Sequence, residues 1–520
     1  MNSAEHRDLI HMLDASARAH ADVVALDTNG DDLTYGQLWA WVGSVRSLLP
    51  AGEARIGVLA PRSPQACVAY LAALTSASAV VPMNPAFPVE RNLMIASLSG
   101  IRWVLAPSSL GHELTEAFES AGIHVVPVHD RPRAEGLPLE PVRAVSPDQD
   151  AYVLFTSGST GTPKGVPIRH DSATVYVRHV VERYGLGPGC RVSHNFDLTF
   201  DPSVIDLIAS LCSGATVVIP GEREALLATA YVRDRRITHW FSVPSMISRA
   251  RQLRLLKPCS MPGLRWSVFI GEPFTLEQAA AWAEAAPHSR IENIYGPTEL
   301  TVSCTSHLLP ADRDDWPDSG NGTVPIGLPY PHVEILVVDA DGAASEEGEL
   351  CVRGIQRFGG YLDPAENSGR FHCPGPERVH AYNGTGPLTD EHWYRTGDRV
   401  RWVDGELVHL GRLDRQVKLR GFRMELGDIE AAIRRLPGVE DAAVVVVRGQ
   451  GEPALVGFHT GEADKSARAE LAAMLPAYMV PQRLSGLAQL PLNANGKTDY
   501  LKVTDLASAL CAPRSAALRP

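Results

Sequence analysis

Ten consecutive residues in the first third of the chain combine small, hydroxyl-bearing and cationic side chains. The run is T-S-G-S-T-G-T-P-K-G over residues 156–165, and it follows an apolar strand predicted for Tyr152–Phe155. Its three glycines allow backbone N–H groups to turn toward an anion, its five hydroxyls add donors, and Lys164 adds charge. It is not a Walker loop, because Pro163 precedes the lysine and Gly165 follows it. The run predicts a polyphosphate site, and a flexible surface loop is the alternative.

Two carboxylate-bearing segments follow farther along the chain. Asn293–Glu299 reads N-I-Y-G-P-T-E, in which Tyr295 can stack on a base and Glu299 offers the hard oxygen ligands that Mg²⁺ prefers. Tyr394–Asp398 reads Y-R-T-G-D, and Asp398 can accept hydrogen bonds from both hydroxyls of a ribose. Taken alone, each segment is also explained by a turn that carries a solvated acid.

Two further segments near the end of the chain carry positive charge. Gly411–Gly421 places several cations around one aspartate, and the alternative is a solvated linker. Leu490–Lys497 ends in Asn-Gly-Lys, which is also an ordinary turn. Lysine is scarce, with six in the whole chain, so a lysine in a glycine-bearing turn indicates a use for a compact ammonium rather than a guanidinium.

The overall composition excludes several classes of protein. With 520 residues, 45% hydrophobic and 21% charged, the chain is neither collagenous nor disordered. A net charge of −12 without a basic stripe argues against nucleic-acid binding. The eight cysteines form no C-x-x-C pair, which excludes a zinc ribbon, and scattered thiols predict a cytoplasmic location. We expect no secretory signal and no membrane span, since the most apolar stretch, Cys67–Met83, is short and contains hydroxyls.

Periodicity predicts an α/β protein with a large and a small domain. Short apolar runs alternate with helical patterns up to about residue 325, which predicts parallel sheets flanked by helices. Hairpin turns at Asp341-Gly342 and Asp404-Gly405 then predict a small β-barrel-like part. A small, mobile α+β unit follows. We predict a large N-terminal domain over residues 1–412, a small C-terminal domain over 413–506 and a mobile tail over 507–520.

The order and spacing of these motifs resemble the adenylate-forming superfamily of acyl-CoA synthetases, luciferases and peptide-synthetase adenylation domains. The resemblance covers almost the whole chain. It implies an AMP-forming ligase that uses ATP and Mg²⁺. Three features depart from the family pattern. S-A-S-A-V-V (76–81) replaces the usual run that contains Gly and Tyr, residues 363–392 are longer and more irregular, and His409 stands where an aromatic residue often helps to hold the nucleotide. Besides the segments above, the resemblance rests on L-T-Y-G-Q-L (33–38), P-M-N-P-A-F-P (82–88), G-E-L (348–350), G-Y (360–361), L-P-A-Y-M-V-P (475–481) and N-G-K (495–497).

Within the superfamily, the chain looks most like an amino-acid-activating enzyme. The segment Phe200–Val204 contains Asp201, which matches the aspartate that pairs with the substrate α-ammonium in such members. The alternative is an N-cap aspartate. Ile270 stands where many members have Gly or Ala, so the resemblance implies a shallow pocket for a small neutral L-amino acid: alanine first, then serine or a short aliphatic residue. By resemblance, the pocket is lined by Pro202, Ile205, Phe241, Val268, Ile270, Ile294, Val302 and Ser303.

The resemblance also assigns roles to the motif residues. Lys497 bridges the substrate carboxylate and the α-phosphate, Thr298 and Glu299 act in catalysis with Glu299 holding Mg²⁺, and Asp414 is the hinge of the small domain. The nucleotide is held by Thr156, Ser157, Gly158, Ser159, Thr160, Gly161 and Lys164 at its phosphates and by Asn293, Tyr295, Asp398 and Arg412 at its adenosine.

These matches imply a partner protein as well. Only 23 residues follow Lys497, too few for a carrier domain. We therefore expect a stand-alone monomer that transfers its aminoacyl-AMP to the phosphopantetheine thiol of a separate carrier protein in nonribosomal peptide or antibiotic biosynthesis, with the need for an activator protein left open. One alternative is an acyl- or aryl-CoA ligase, which Asp201 opposes. The other is a non-catalytic nucleotide-binding homologue, which the intact set Lys164, Glu299, Asp398 and Lys497 opposes.

Overall fold

The computed structural model describes residues 8–28, 30–130, 142–158, 162–221, 223–224, 227–448, 453–463, 466–493 and 497–511. The helices are α1 (Leu9–Ala19), α2 (Tyr35–Arg46), α3 (Pro64–Thr75), α4 (Val89–Ser99), α5 (His112–Ser120), α6 (His170–Tyr184), α7 (Ser210–Ser213), α8 (Ala228–Asp234), α9 (Ser245–Gln252), α10 (Leu276–Ala285), α11 (Leu426–Arg434), α12 (Ala467–Met474) and α13 (Tyr500–Cys511).

The strands are β1 (Val24–Asp27), β2 (Leu33–Thr34), β3 (Arg55–Leu59), β4 (Ala79–Met83), β5 (Trp103–Pro107), β6 (His124–Val128), β7 (Asp150–Thr156), β8 (Lys164–Arg169), β9 (Arg191–Ser193), β10 (Thr216–Val218), β11 (His239–Ser242), β12 (Trp266–Ile270), β13 (Arg290–Tyr295), β14 (Thr305–Leu308), β15 (Leu328–Pro329), β16 (Val333–Val338), β17 (Glu347–Gly354), β18 (Phe371–Cys373), β19 (His380–Ala381), β20 (Trp393–Val403), β21 (Glu406–Arg412), β22 (Gln416–Leu419), β23 (Phe422–Glu425), β24 (Val439–Val447), β25 (Ala454–Gly461) and β26 (Arg483–Gly486).

The chain divides into two compact units. The first comprises Met1–Pro85, Ile95–Phe155 and Lys164–Leu413, and the second comprises Ala86–Met94, Thr156–Pro163 and Asp414–Pro520. The main division thus falls between Leu413 and Asp414, while two short segments from earlier in the chain, one of them in the predicted phosphate loop, belong to the second unit.

Two sheets of the first unit are largely parallel, which confirms the prediction of parallel sheets with flanking helices. One has nine strands in the order β15-β14-β13-β12-β11-β9-β10-β1-β2, parallel from β13 to β1. The other has six strands in the order β6-β5-β3-β4-β7-β8. Helix α3 shows why such helices form, because Ser63 caps it, Pro64 begins it and Ala66–Thr75 are all buried.

The third sheet of the first unit is antiparallel and contains the part predicted to be barrel-like. Its strands follow the order β16-β17-β20-β18-β19, with β21 paired to β20. This order is that of an open sheet. The predicted hairpin between β20 and β21 turns at Asp404 and Gly405, which have φ of 48° and 81°. Positive φ at both central residues is the geometry that matches the right-handed twist of the paired strands.

The second unit contains the predicted C-terminal α+β elements. Strands β24, β25 and β26 form a sheet, on which α11 and α13 pack. The prediction of a mobile tail from residue 507 is wrong for residues 507–511, because α13 continues to Cys511 and Ala507 is fully buried. The helix extends because its apolar face packs against β24 and β25, a contact that local composition does not reveal. Residues 512–520 lie outside the described residues.

No helix in the described ranges combines the length and the apolar character needed to cross a bilayer.

Candidate active site

Adjacent parallel strands bring four of the predicted pocket residues onto one face of the nine-stranded sheet. In the β11–β12 pair Phe241 lies beside Val268, and in the β12–β13 pair Ile270 lies beside Ile294. Residues paired in register point to the same face, and Val268 and Ile270 are two positions apart. All four are at most 4% exposed and share one apolar cluster with Ile205 and Val302.

Asp201 precedes a wide π-type helical turn that begins at Val204. The N-cap of this turn is Ser203, so Asp201 does not occupy the N-cap position that was its alternative explanation. Asp201 is partly exposed, whereas Pro202 and Ile205 beside it are buried. Burial is the main cause that raises the pKa of Tyr176 well above its usual value, and the charge of Asp201 adds to the increase. The charge of Asp201 therefore influences a buried tyrosine that belongs to the same apolar cluster as the predicted pocket residues.

The segment after the Glu299 motif carries backbone strain. Thr301 and Val302 have φ of 55° and 74°, a left-handed region that β-branched residues rarely adopt. A Cβ atom added to Gly296 would lie 2.5 Å from the Cα of Ser303. The strained segment and the end of β13 therefore approach each other so closely that only glycine fits at position 296. Such strain persists where surrounding contacts enforce it, and it concentrates at functional sites.

Gln356 supplies those contacts. Its side-chain nitrogen donates to the carbonyl oxygens of Leu300 at 3.0 Å, Thr301 at 3.3 Å and Ser303 at 2.8 Å. The hydroxyl of Thr301 donates in return to the backbone oxygen of Gln356 at 2.7 Å. Gln356 is 1% exposed, so these bonds form without competition from water. We call this set of bonds the Gln356 clamp.

The predicted pocket residue Ser303 has a hydroxyl that other side chains already engage. Its oxygen lies 2.9 Å from the hydroxyl of Tyr176 and 2.9 Å from that of Tyr330. All three residues are buried. Ser303 thus links helix α6 to Tyr330, the residue that follows β15. Its hydroxyl is engaged by these two hydrogen bonds within the protein.

Asp398 contacts two of the residues expected around the adenosine, Tyr295 and Arg412, and it also contacts His409. Tyr295 donates its hydroxyl to Oδ2 of Asp398 at 2.6 Å. His409 Nε2 and Arg412 Nη1 lie 3.0 Å and 3.2 Å from Oδ1. Asp398 is 2% exposed, and burial and its charge together hold the pKa of Tyr295 well above the usual value. A ribose diol would therefore have to share this carboxylate with the protein's own donors.

The side-chain amide of Asn293, which is predicted to contact adenine, already makes hydrogen bonds within the protein. Its Nδ2 donates to the backbone oxygens of Val324 at 3.2 Å and Pro325 at 2.9 Å, and the residue is 4% exposed. Because both amide hydrogens are directed at the backbone, a contact with the edge of adenine would involve Oδ1.

Tyr361 lies between the predicted metal-binding carboxylate and the predicted phosphate-binding lysine. Its hydroxyl donates to Oε1 of Glu299 at 2.8 Å, and the ammonium of Lys164 lies 5.6 Å from the centre of its ring. Lys164 also forms an ion pair with Glu366. Glu299 and Lys164 are nearly inaccessible to solvent, and Thr298 beside Glu299 is half-buried. The fold therefore brings Glu299 and Lys164 close together, with Tyr361 between them and Glu366 paired with Lys164.

The residues around Glu299 fit a magnesium ion that arrives with its nucleotide. Within the described residues Glu299 belongs to no cluster of three potential metal-binding side chains. Mg²⁺ is typically held by one or two carboxylates together with water and substrate phosphates. A single buried carboxylate near a lysine suits that mode of binding.

The remaining predicted residues lie in the second unit. Ser157 accepts a hydrogen bond from the N–H of Glu425 at 3.2 Å and donates to the backbone oxygen of Arg423 at 3.3 Å. Thr156 ends β7 and Gly158 is buried. Ser159, Thr160 and Gly161, which were also predicted to hold the phosphates, lie outside the described residues.

Lys497 and Asp414 are both exposed. The N–H of Lys497 donates to Oδ1 of Asn493 at 3.1 Å, and its backbone oxygen accepts from the N–H of Asn493 at 2.7 Å. Oδ1 of Asp414 accepts from the N–H of Gln416 at 3.1 Å. The roles of both residues stay predictions.

Sequence reasoning missed four residues that contact the predicted site. Gln356 and Glu366 carried no signal, since a single glutamine or glutamate in an irregular region has no pattern. Tyr361 was noted only as part of a motif, and His409 only as a departure from one. The G-Y motif at residues 360–361, which follows G-E-L at 348–350, was the one feature of the sequence that pointed to Tyr361.

Two family models match the chain. The AMP-binding enzyme model matches residues 13–362, and the AMP-binding enzyme C-terminal domain model matches residues 428–497. The first covers more than half of the chain and includes every strand of the predicted pocket.

Two relatives are each about one-third identical to this chain over the aligned residues. Phosphinothricin tripeptide synthetase PhsC of Streptomyces viridochromogenes is 35% identical over 528 residues, a match that covers 96% of this chain and 45% of PhsC. The chain thus spans less than half the length of that relative. L-proline--[L-prolyl-carrier protein] ligase of Streptomyces coelicolor is 34% identical over 521 residues, covering 91% of this chain and 92% of the ligase.

Among solved structures, the Vibrio cholerae adenylation domain AlmE in complex with glycyl-adenosine-5'-phosphate superposes with a TM-score of 0.82. It is 25% identical and covers 98% of this chain and 99% of its own. The similarity therefore extends over both units, each taken with its own elements.

Proposed function

The chain belongs to the AMP-binding enzyme family, and from that premise we propose that it activates a small neutral L-amino acid with ATP and loads it onto a separate carrier protein. The observation that supports the proposal is that the partly exposed Asp201 precedes Pro202 and Ile205, which are buried, and that Ile205 shares one apolar cluster with the predicted pocket residues of β11 to β13. A carboxylate at this position offers a partner for the α-ammonium of an amino acid, and pairing offsets the cost of removing both charges from water.

The charge balance of the pocket favours a neutral side chain. The face that carries Phe241, Val268, Ile270 and Ile294 continues along β13 to Glu292, which is fully buried. Glu292 is paired with Arg183 of α6, whose Nε lies 2.8 Å from its carboxylate. This charge is therefore compensated within the protein, and an ionised substrate side chain would find no partner among these five residues.

The size of the pocket follows from the same strands. Ile270 and Ile294 lie side by side where β12 and β13 end. Two β-branched side chains at adjacent positions fill space that a long substrate side chain would need. We therefore place alanine first and serine or a short aliphatic residue next. An apolar pocket separates substrates that differ by one methylene by about 1–3 kcal/mol, so we expect activity with more than one of them.

In the first half-reaction the amino acid carboxylate attacks the α-phosphorus of ATP, and pyrophosphate leaves. We assign Lys164 and the loop at residues 156–165 to the departing phosphates, and Tyr295, Asp398 and Arg412 to the adenosine. Lys497 would stabilise the charge that develops between the carboxylate and the α-phosphate. Magnesium bound at Glu299 would supply an electrophile that offsets phosphate charge.

In the second half-reaction the phosphopantetheine thiol of a carrier protein attacks the aminoacyl-adenylate, and AMP leaves. The proline ligase named above acts on a prolyl-carrier protein, as its name states, and matches this chain over nearly its whole length. Asp414, at the division between the units, is the proposed hinge for the change between the two half-reactions.

ATP–pyrophosphate exchange with matched substrates tests the role of Asp201. Alanine and propionate differ only in the α-amino group, so exchange is measured with both for the natural chain and for Asp201→Asn. We expect exchange with alanine and not with propionate, and a loss of at least about 100-fold for alanine in the variant, which corresponds to about 2.7 kcal/mol of ion pairing. Exchange with propionate or benzoate but with no amino acid would instead identify an acyl- or aryl-acid ligase.

Lys497→Ala separates the first step from nucleotide binding. We expect exchange to fall strongly while ATP still protects the protein against thermal unfolding. Unchanged exchange would exclude the role given to Lys497. Transfer is then measured as the mass increase of a phosphopantetheinylated carrier protein, with the unmodified carrier as control.

A further inference from the structure

One face of the antiparallel sheet carries three side chains that can bind a metal ion. Glu349 and Cys351 are two positions apart on β17 and therefore point to the same face. Their neighbours Leu350 and Val352 point the other way, into the main apolar core. His372 of β18 completes the group, and one potential ligand atom from each of the three residues lies within 4.8 Å of the others.

His372 has no hydrogen-bond partner that would explain its burial. The residue is 8% exposed, and in the described part of the chain neither ring nitrogen makes a hydrogen bond of normal geometry. Buried polar atoms are nearly always paired, so an unpaired imidazole needs an explanation. Burial, followed by the charge of Arg395, lowers the pKa of His372, although Glu349 and the backbone of His380 act in the opposite direction. Neutral imidazole is the form that binds metals.

Glu349 is held in place by the protein. Its Oε2 accepts two hydrogen bonds from Arg395, at 3.0 Å and 2.8 Å, and its Oε1 accepts one from the N–H of Gly397 at 3.1 Å. A carboxylate has about four lone-pair positions, and carboxylates that bind metals are usually hydrogen-bonded by neighbouring groups in this way. The pair with Arg395 fixes the orientation of the carboxylate.

Cys351 completes a mixed ligand set. It is fully buried against Val338, Val379 and Trp393, and burial raises the pKa of its thiol well above the usual value. A cavity of about 650 Å³ borders Glu349 and His372 and gives water access to the group.

We propose that Cys351, His372 and Glu349 form a zinc site, with water from the adjoining cavity as the fourth ligand. Sulfur, nitrogen and oxygen ligands in a four-coordinate arrangement are typical of Zn²⁺. Mg²⁺ and Ca²⁺ require oxygen ligands, so a thiol excludes them. On binding, Cys351 loses its thiol proton to solvent, and the thiolate and carboxylate together balance the two positive charges of the ion.

The site would anchor the part of the chain that departs from the family pattern. His372 lies in the long segment over residues 363–392, and β19, which follows it, pairs with β18. A metal ion bound by His372 and two residues of β17 would link this segment across β20 to a strand that it does not itself pair with. We therefore assign the zinc ion a structural role, separate from the adenylation chemistry.

The test measures zinc bound to the full chain. The protein is stripped with EDTA, equilibrated with zinc, desalted and analysed by mass spectrometry for zinc per chain and by thermal unfolding. We expect one zinc ion per chain, a higher melting temperature with zinc than without, and loss of both effects in Cys351→Ser and in His372→Gln. Cobalt in place of zinc should give a thiolate-to-metal absorption band that Cys351→Ser lacks.

Matched controls exclude binding to other thiols and imidazoles. Cys373→Ser and His380→Gln change residues that lie opposite each other in the β18–β19 pair and lie outside the proposed ligand set, so both should keep one zinc ion. If Cys351→Ser does not fold, His372→Gln decides the question. The proposal is overturned if the natural chain keeps no zinc, or if folded His372→Gln keeps as much zinc as the controls.

Discussion

The Gln356 clamp makes a prediction that connects a buried amide to substrate binding. The clamp holds Thr301 and Val302 in a left-handed backbone conformation, and Val302 is a predicted pocket residue. Replacing Gln356 with methionine keeps the volume of the side chain and removes its two N–H donors. The strained segment then loses the bonds that enforce it.

The magnitude follows from the bonds lost. Each buried carbonyl group left without a donor costs about 1–3 kcal/mol; the carbonyls of Leu300 and Ser303 lose their donor, whereas that of Thr301 still accepts from the N–H of Ser303 at 3.0 Å. Relaxation of Thr301 and Val302 returns about 1–3 kcal/mol for each residue that leaves the strained region. With two carbonyls lost and one strained residue relaxed, mid-range values give a net loss of about 2 kcal/mol in the free energy of unfolding. At about 2.1 cal/mol/K per residue over the roughly 400 residues of the first unit, the melting temperature should fall by about 2 °C.

Substrate binding should respond unevenly to Gln356→Met. The relaxed segment moves Val302 and Ser303, whereas Tyr295 and Asp398 keep their own hydrogen bond. We expect KM for the preferred amino acid to rise about tenfold, equivalent to about 1.4 kcal/mol, and KM for ATP to change by less than about twofold. The measurements are thermal unfolding and pyrophosphate exchange with each substrate varied in turn. An unchanged melting temperature, or equal increases in both KM values, would refute the clamp as the support of the pocket.

Three further predictions concern single residues of the first unit. Tyr361→Phe removes a hydrogen bond to the buried Glu299 carboxylate and should lower kcat/KM by about 10–100-fold in pyrophosphate exchange, since hydrogen bonds to charged groups contribute about 1.5–3 kcal/mol. Gly296→Ala places a Cβ atom 2.5 Å from the Cα of Ser303 and should cost about 1–3 kcal/mol in denaturant unfolding and raise KM for the amino acid. Burial lowers the pKa of His170 from 6.5 to about 4, so the stability that depends on its neutral form is present above pH 6.5 and is lost as pH falls toward 4. We expect the free energy of unfolding to fall by about 2 kcal/mol between pH 6.5 and pH 5 for this reason. In His170→Leu, the plot of stability against pH should be flatter over this acid range.

Each of these variants has a control or an outcome that contradicts the reasoning. Tyr382→Phe removes a buried hydroxyl bonded to the Gly386 backbone oxygen and should leave exchange unchanged; equal losses in the two tyrosine variants would mean that Tyr361 acts only through stability. Gly111→Ala adds a Cβ atom with nothing within 4 Å and should be tolerated. An acid limb of the same slope in His170→Leu would exclude His170 as a cause of acid sensitivity.

Much of the fold could be predicted because it depends on local patterns. Apolar runs separated by helical periodicity identified the parallel sheets, and the run at Trp266–Ile270, which forms β12, is an example. The Asp-Gly turn at residues 404–405 identified the hairpin. The end of α13 was missed because its length depends on packing against β24 and β25, which are far away in the sequence.

The candidate site could be predicted only to the level of its motifs. Patterns identify Glu299 and Asp398 as carboxylates near a turn, but they do not tell which hydroxyl or imidazole each of them meets. Tyr361 is 62 positions from Glu299, and no repeating pattern connects them. The same holds for Lys164 and Glu366, whose ion pair depends on how β8 and the long segment after Tyr361 are arranged in space.

These unpredicted contacts have one physical effect in common, which is that each compensates a buried charge. Lys164 is paired with Glu366, Glu299 accepts a hydrogen bond from Tyr361, and Asp398 accepts one from Tyr295, so these three charged residues proposed to meet ATP or its magnesium already have partners within the protein. An isolated buried charge is very costly, and these partners lower that cost in the absence of nucleotide. Phosphate, metal and ribose can then replace or join partners of similar chemistry, so that binding exchanges interactions instead of burying new, uncompensated charge. This exchange explains why the site needs Tyr361 and Glu366 in addition to the residues of the family motifs.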